Sequence, residues 1–109
     1  MEYKLKVKDR LVLAGLLPPE GNLATMRIVH ELRMAVGIDE AEFRDLQIQE
    51  TEDGRLKWDQ KQEAIAGPKS VEIGAKGQEI IRAALKKLDD DEKLAADHLD
   101  LCDLFEYEG

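Results

Sequence analysis

The sequence predicts a single α+β domain with four to five helices and a short, mainly antiparallel sheet that includes a β-hairpin. Three observations carry this reading. Apolar residues recur at helical spacing over 23–36 and again over 77–88. Strict alternation marks residues 3–7 and returns on both sides of Asp53-Gly54. The chain has 109 residues, 43% of them apolar, which is enough for one small core and argues against wholesale disorder.

The elements follow in order. Residues 3–7 read as a strand with Tyr3, Leu5 and Val7 on one face, while Lys4, Lys6, Lys8 and Arg10 continue the other, basic face. Asp9 caps an apolar helix from Leu11 to Leu17, which Gly15 weakens and Pro18-Pro19 stops, because proline has no N–H to give. Asn22 is a good N-cap for the helix over 23–36, whose stripe is Ile28, Val29, Leu32, Ala35 and Val36. Gly37 suits the left-handed position after it. Asp39, with Glu42 three residues on, forms a carboxylate capping box for a third helix over 39–46.

Leu46 and Ile48 then alternate before Asp53-Gly54, and Leu56 and Trp58 after it. This is a hairpin whose turn residues both tolerate positive φ. Trp58 shares a face with Leu56 and is assigned to the core. Residues 60–68 read as a loop, and Val71 and Ile73 as a third short strand. Gly74 to Gly77 lead into a helix over 77–88, with Lys86 and Lys87 in its last turn, where cations suit the helix dipole. The run Asp89–Glu92 opens a final helix over about 91–107. Its apolar arc holds Leu94, His98, Leu101, Cys102 and Phe105.

Charge is unevenly placed. Residues 89–109 hold nine acids and one base, the full net charge of −8, and the other 88 residues balance. A face of one sign repels nucleic acid and attracts a basic partner. The candidate contact residues are therefore Asp97, Asp100, Asp103, Glu106 and Glu108, outside the apolar arc of the last helix. Leu99 and Leu104, also outside that arc, suggest a possible homodimer.

Three helices followed by a hairpin is also the order of a winged helix. This gives an alternative in which Arg55, Lys57, Lys61 and the N-terminal lysines touch nucleic acid. The segment that would read DNA, Asp39–Asp45, carries one arginine against four carboxylates, the wrong charge for a groove.

No catalytic constellation, metal site or cofactor motif is expected. Cys102 is the one cysteine and Ser70 the one serine. His98 and Cys102 lie four residues apart on an apolar stripe, where packing is the ordinary role for both. Gly74-Ala-Lys-Gly77 is too short for a phosphate loop, and Asp89–Glu92 lacks the spacing and glycine of a calcium loop. No run approaches the ~18 apolar residues of a membrane span. The first residues lack a secretory h-region, so a cytoplasmic chain is expected.

Three segments carry a resemblance: Arg10–Asn22, with its Leu-Leu-Pro-Pro-Glu-Gly turn; Ile28–Arg33; and Ile73–Asp89. Together with the hairpin ending in tryptophan and the acidic C-terminal stretch, they resemble a group of small bacteriophage and prophage proteins. The likeness covers most of the chain, but its motifs are turns, caps and amphipathic stripes. It implies a phage or mobile-element context. No activity is attached to that group, so it assigns no residue a role. The expectation is a small non-enzymatic accessory or regulatory protein that works by binding another protein.

Overall fold

The alternation over the first residues makes strand β1 (Glu2–Leu5), in a computed structural model that describes residues 1–109. Lys6 ends the strand and caps helix α1 (Val7–Leu16), which starts four residues before the expected Leu11. Two carboxylates, one local and one distant, explain the early start. The Lys6 N–H donates to Asp9 Oδ2 (3.1 Å) and the Val7 N–H to Glu63 Oε1 (3.0 Å), so donors that have no partner inside the helix are satisfied. Asp9 is therefore the third residue of the helix and not its cap. Lys8 and Arg10 belong to the helix as well and Lys6 is its cap, so Lys4 is the one base of the expected face that lies in the strand.

Helix α2 (Leu23–Val36) has the expected bounds, with the Asn22 side chain accepting from the Thr25 N–H at 2.8 Å. Gly37 does not adopt the expected left-handed conformation; its φ is −59°. A Cβ there would stand 3.0 Å from the Arg33 carbonyl oxygen, and that close approach is the reason for glycine. Helix α3 (Glu40–Asp45) carries the expected capping box of Asp39 and Glu42.

The hairpin forms from β2 (Gln49–Glu50) and β3 (Leu56–Lys57), with Gln49 opposite Lys57. Of the two turn residues only Gly54 has positive φ (+81°). The Gly54 N–H bonds to the Thr51 carbonyl and the Thr51 N–H to the Arg55 carbonyl, a three-residue loop in which glycine takes the left-handed position. Residues 60–68, expected as a loop, contain helix α4 (Gln60–Ala66), capped by Asp59 and closed by Gly67 at φ +75°.

Strand β4 (Lys69–Glu72) pairs antiparallel with β1, Tyr3 lying opposite Val71. The expected single sheet is thus two separate two-stranded ribbons, β1–β4 and β2–β3. The helix–helix–helix–hairpin order of a winged helix is present, but β1 pairs with β4 and not with the hairpin.

Helix α5 runs over Ala75–Asp90, longer at both ends than expected. The expected last helix over about 91–107 is not continuous. Glu92 takes φ +56°, the Lys93 N–H closes back onto the Leu88 carbonyl (2.7 Å), and the chain then leaves the helix. A 3-10 turn at Ala96–His98 leads into a short helix α6 (Leu99–Leu104). The acids at 89–92 therefore end one helix and do not begin the next. At a helix C-terminus they oppose the dipole, and two side chains offset this: Lys86 pairs with Asp90 (2.8 Å) and the Tyr107 hydroxyl donates to Asp89 (2.7 Å).

The core is built from the inward faces of β1, β4, α1, α2, α5 and α6, with Leu5, Leu13, Ile73, Ile81, Leu85 and Phe105 fully buried. Phe105 stacks on Tyr3 at 4.4 Å between ring centroids. A second, smaller cluster of Val7, Leu46 and Ile48 lies under Trp58.

Two glycines test this packing with opposite signs. A Cβ at Gly77 would meet Ile73 at 2.9 Å and Leu32 at 3.2 Å, so α5 approaches its neighbours too closely for a side chain. A Cβ at Gly15 meets nothing within 4 Å. Gly77→Ala is expected to cost about 1 kcal/mol or more after its gain in helix propensity. Gly15→Ala is expected to stabilise by up to about 1 kcal/mol. Chemical denaturation of the two variants checks both signs.

Candidate functional site

The acidic terminal segment is folded against the body by its apolar residues. Leu101, Cys102 and Phe105 point inward, and Arg82 on α5 donates through Nε to the Phe105 carbonyl (2.7 Å), fixing the end of α6. That arrangement turns Asp100 and Asp103, one helical turn apart, to the solvent side. Glu106, at φ +54°, and Glu108 follow them, also exposed.

The five predicted contact residues do not share one fate. Asp97 is paired with Lys8, Nζ to Oδ1 at 3.0 Å, and this hydrogen bond and charge raise the Lys8 pKa. Asp100, Asp103, Glu106 and Glu108 form no ion pair. Asp91 and Glu92, at the end of α5, are also exposed and unpaired. Internal neutralisation thus takes Asp97 and Asp90, and leaves most of the negative charge on the surface.

Tyr107 marks the boundary between held and free carboxylates. Its hydroxyl donates to Asp89, which pushes the tyrosine pKa up to about 12, chiefly through that hydrogen bond and then through burial. The neutral phenol is the bonded form. Its contribution to stability is present below the ordinary tyrosine pKa of ~10 and is lost as pH rises toward the folded value. Alkaline titration of tyrosine absorbance is expected to place Tyr107 near the top of the range. Asp89→Asn is expected to bring it back toward the ordinary value; no change in that variant would show that the contact is not made in solution.

The nucleic-acid alternative rests on Arg55, Lys57 and Lys61, and all three are exposed. They do not form a basic face. Arg55 lies 3.6 Å from Asp53, and Glu50, Glu52, Asp53, Asp59 and Glu63 outnumber the bases across the hairpin and α4. Of the N-terminal bases, Lys8 is held by Asp97 and Arg10 is buried. Trp58 is half-buried, not a core residue, and its Nε1 donates to Glu63 (2.7 Å). Leu56, its expected companion in the core, is exposed.

The remaining chemistry-bearing residues are engaged in the fold. His98 Nδ1 accepts the Ala95 N–H (2.9 Å) and caps the 3-10 turn. Cys102 is buried, and burial, with help from Asp103 and Asp89, pushes its thiol pKa up, away from the thiolate a nucleophile needs. No three His, Cys, Asp or Glu side chains converge as a metal site would require. No helix is long and apolar enough to cross a membrane. Leu104 packs against the core, so of the two residues suggesting a dimer Leu99 alone is exposed. A concavity of about 910 Å³ lies between α1, α5 and the 91–98 segment. Its rim is mixed in charge, Glu20, Asp91 and Asp97 against Lys87 and Lys93.

Comparison with protein-family models, with curated proteins and with solved structures finds no match to the chain.

Two side chains that brace the fold away from the acidic face were illegible in the sequence. Arg10 joins three helices and Glu63 joins α4 to α1, and neither carries a local signal. Each acts on a residue more than 25 positions away.

Proposed function

We propose that this chain is a small accessory or regulatory protein of a phage or mobile element, without a catalytic centre of its own. It acts by presenting Asp100, Asp103, Glu106 and Glu108 to a basic surface on another protein. The observation that carries this reading is that these four carboxylates stand exposed, without ion partners, on a segment whose apolar side is locked into the core. Exposed like charges held side by side repel one another, and a partner's lysines and arginines relieve that repulsion. Rim charges of this kind set association rate and salt dependence more than raw affinity. Binding is therefore salt-sensitive and needs an additional apolar contact to be tight.

The test is affinity capture with the intact chain and two variants. One neutralises the terminal face (D100N, D103N, E106Q, E108Q). The other removes the same number of exposed acids elsewhere (E20Q, E40Q, E52Q, E79Q). A protein retained by the parent and the second variant and lost by the first is the expected result. Equal retention by both variants contradicts the reading, and so does retention of DNA in place of a protein.

A further inference from the structure

Residues 49–68 leave the body of the protein after Ile48 and return to it at β4 with no residue fully buried; Trp58 alone packs, half-buried, on the small apolar cluster. They contain the β2–β3 hairpin and helix α4, and two hydrogen bonds join them to the rest of the chain. The Asp59 N–H donates to the Leu46 carbonyl (2.8 Å), and the Glu63 carboxylate accepts the Val7 N–H (3.0 Å). The same carboxylate accepts the Trp58 indole N–H (2.7 Å), so one side chain fixes both the position of α4 and the ring that covers the small apolar cluster. Space remains beneath α4: a concavity of about 500 Å³ separates Gln62, Glu63 and Ile65 from Leu5, Arg10 and Glu42. Ile65, the one large apolar residue of α4, is 79% exposed. Both ends of the segment sit beside residues with positive φ, Gln47 at +52° and Gly67 at +75°. Hinge motions are absorbed at a few such positions at the ends of elements.

We infer that residues 49–68 form a strap that opens as a unit while the body stays folded, with Glu63 as its latch. Segments with few buried contacts and exposed backbone bonds occupy the low-stability end of a fold and open without global unfolding. When the strap lifts, Val7, Leu46 and Ile48 lose the Trp58 cover, and an apolar surface absent from the closed form becomes available on the body. The strap does not involve the acidic terminal face, and the inference stands independently of the binding role proposed for that face.

Hydrogen exchange of the full chain under native conditions tests this. The reporters are the bonds that open with the strap: the Val7 and Asp59 amides and the Trp58 indole N–H. All three are expected to exchange together, about 100-fold or more faster than the amides of Leu13, Ile81 and Leu85. Glu63→Gln keeps one acceptor oxygen and replaces the other with an NH2 donor, so the Val7 and Trp58 N–H groups cannot both be satisfied. It is expected to speed the three reporters about tenfold and to leave the α5 amides unchanged. The strap is overturned if the reporters of the unmodified chain exchange at the α5 rate. The latch is overturned if Glu63→Gln leaves their rate unchanged, speeds every amide equally, or prevents folding, since a latch on the strap alone leaves the body intact.

Discussion

Replacing Arg10 with alanine is expected to cost about 3 kcal/mol of folding stability, a large share of the ~5–15 kcal/mol that holds a domain of this size. Arg10 is 2% exposed. Its Nε donates to the Val36 carbonyl (2.9 Å), its Nη2 to the Gly37 carbonyl (2.5 Å), and its two Nη atoms grip both oxygens of Glu42 (2.5 and 3.0 Å). One guanidinium thus ties the middle of α1 to the end of α2 and the start of α3. It supplies donors to carbonyls at the end of α2 that have no helical partner.

Removing it leaves two carbonyls without donors and Glu42 without its main counter-charge. Glu42 is 28% exposed, so water recovers part of the loss, which keeps the figure at the lower end for a broken buried pair. Arg10→Lys keeps the charge, loses the planar fork, and is expected to fall between the parent and Arg10→Ala. A loss below about 1 kcal/mol for Arg10→Ala in urea denaturation would show that the brace is not made in solution.

The same pair gives stability a pH dependence of known sign. The Arg10 hydrogen bond holds the Glu42 carboxyl below the usual carboxylate range. A group depressed in the folded state stabilises above its unfolded pKa, ~4.3 for glutamate. That contribution is lost as pH falls from there through the lowered folded value. Acid denaturation of Arg10→Ala is expected to lack this component.

Phe105→Ala is expected to be at least as severe, about 3–5 kcal/mol. The ring is fully buried and stacked on Tyr3, so the variant loses the burial, the stack and the filling of the space between them. Phe105 is also the anchor that holds α6 to the body, with Arg82 bonded to its carbonyl. Its removal frees the acidic segment before the rest of the core. Near-ultraviolet circular dichroism and exchange of the α6 amides are expected to report that local loss at temperatures where α2 is still intact. Phe105→Leu, which keeps most of the volume, is expected to cost about 1.5 kcal/mol. An alanine variant as stable as the parent would mean that the terminal segment is not docked.

How far the sequence carried the fold can be read from particular residues. Helix α2 was legible because its stripe and its Asn22 cap agreed, although Gly37 ends it without the expected left-handed turn. Helix α4 was not, although Asp59, Gly67 and Pro68 mark its ends. It has no apolar stripe, because it packs against almost nothing. The acidic run at 89–92 misled for a physical reason: carboxylates favour a helix N-terminus, and here they sit at a C-terminus because Lys86 and Tyr107 compensate them from outside the run. Of the candidate face, the exposed acids of α6 were legible from their spacing. The loss of Asp97 to Lys8 was not, since an ion pair between residues 89 positions apart leaves no local trace.

The most direct measurement of the central claim is the salt dependence of affinity for the captured partner. It is to be determined in parallel for the parent chain and for the variant with Asp100, Asp103, Glu106 and Glu108 neutralised. For the parent, affinity is expected to fall steeply as salt rises from ~50 to ~300 mM, and for the variant it is expected to be weaker at low salt and nearly flat. Equal affinities with equal slopes would mean that the four carboxylates take no part in binding.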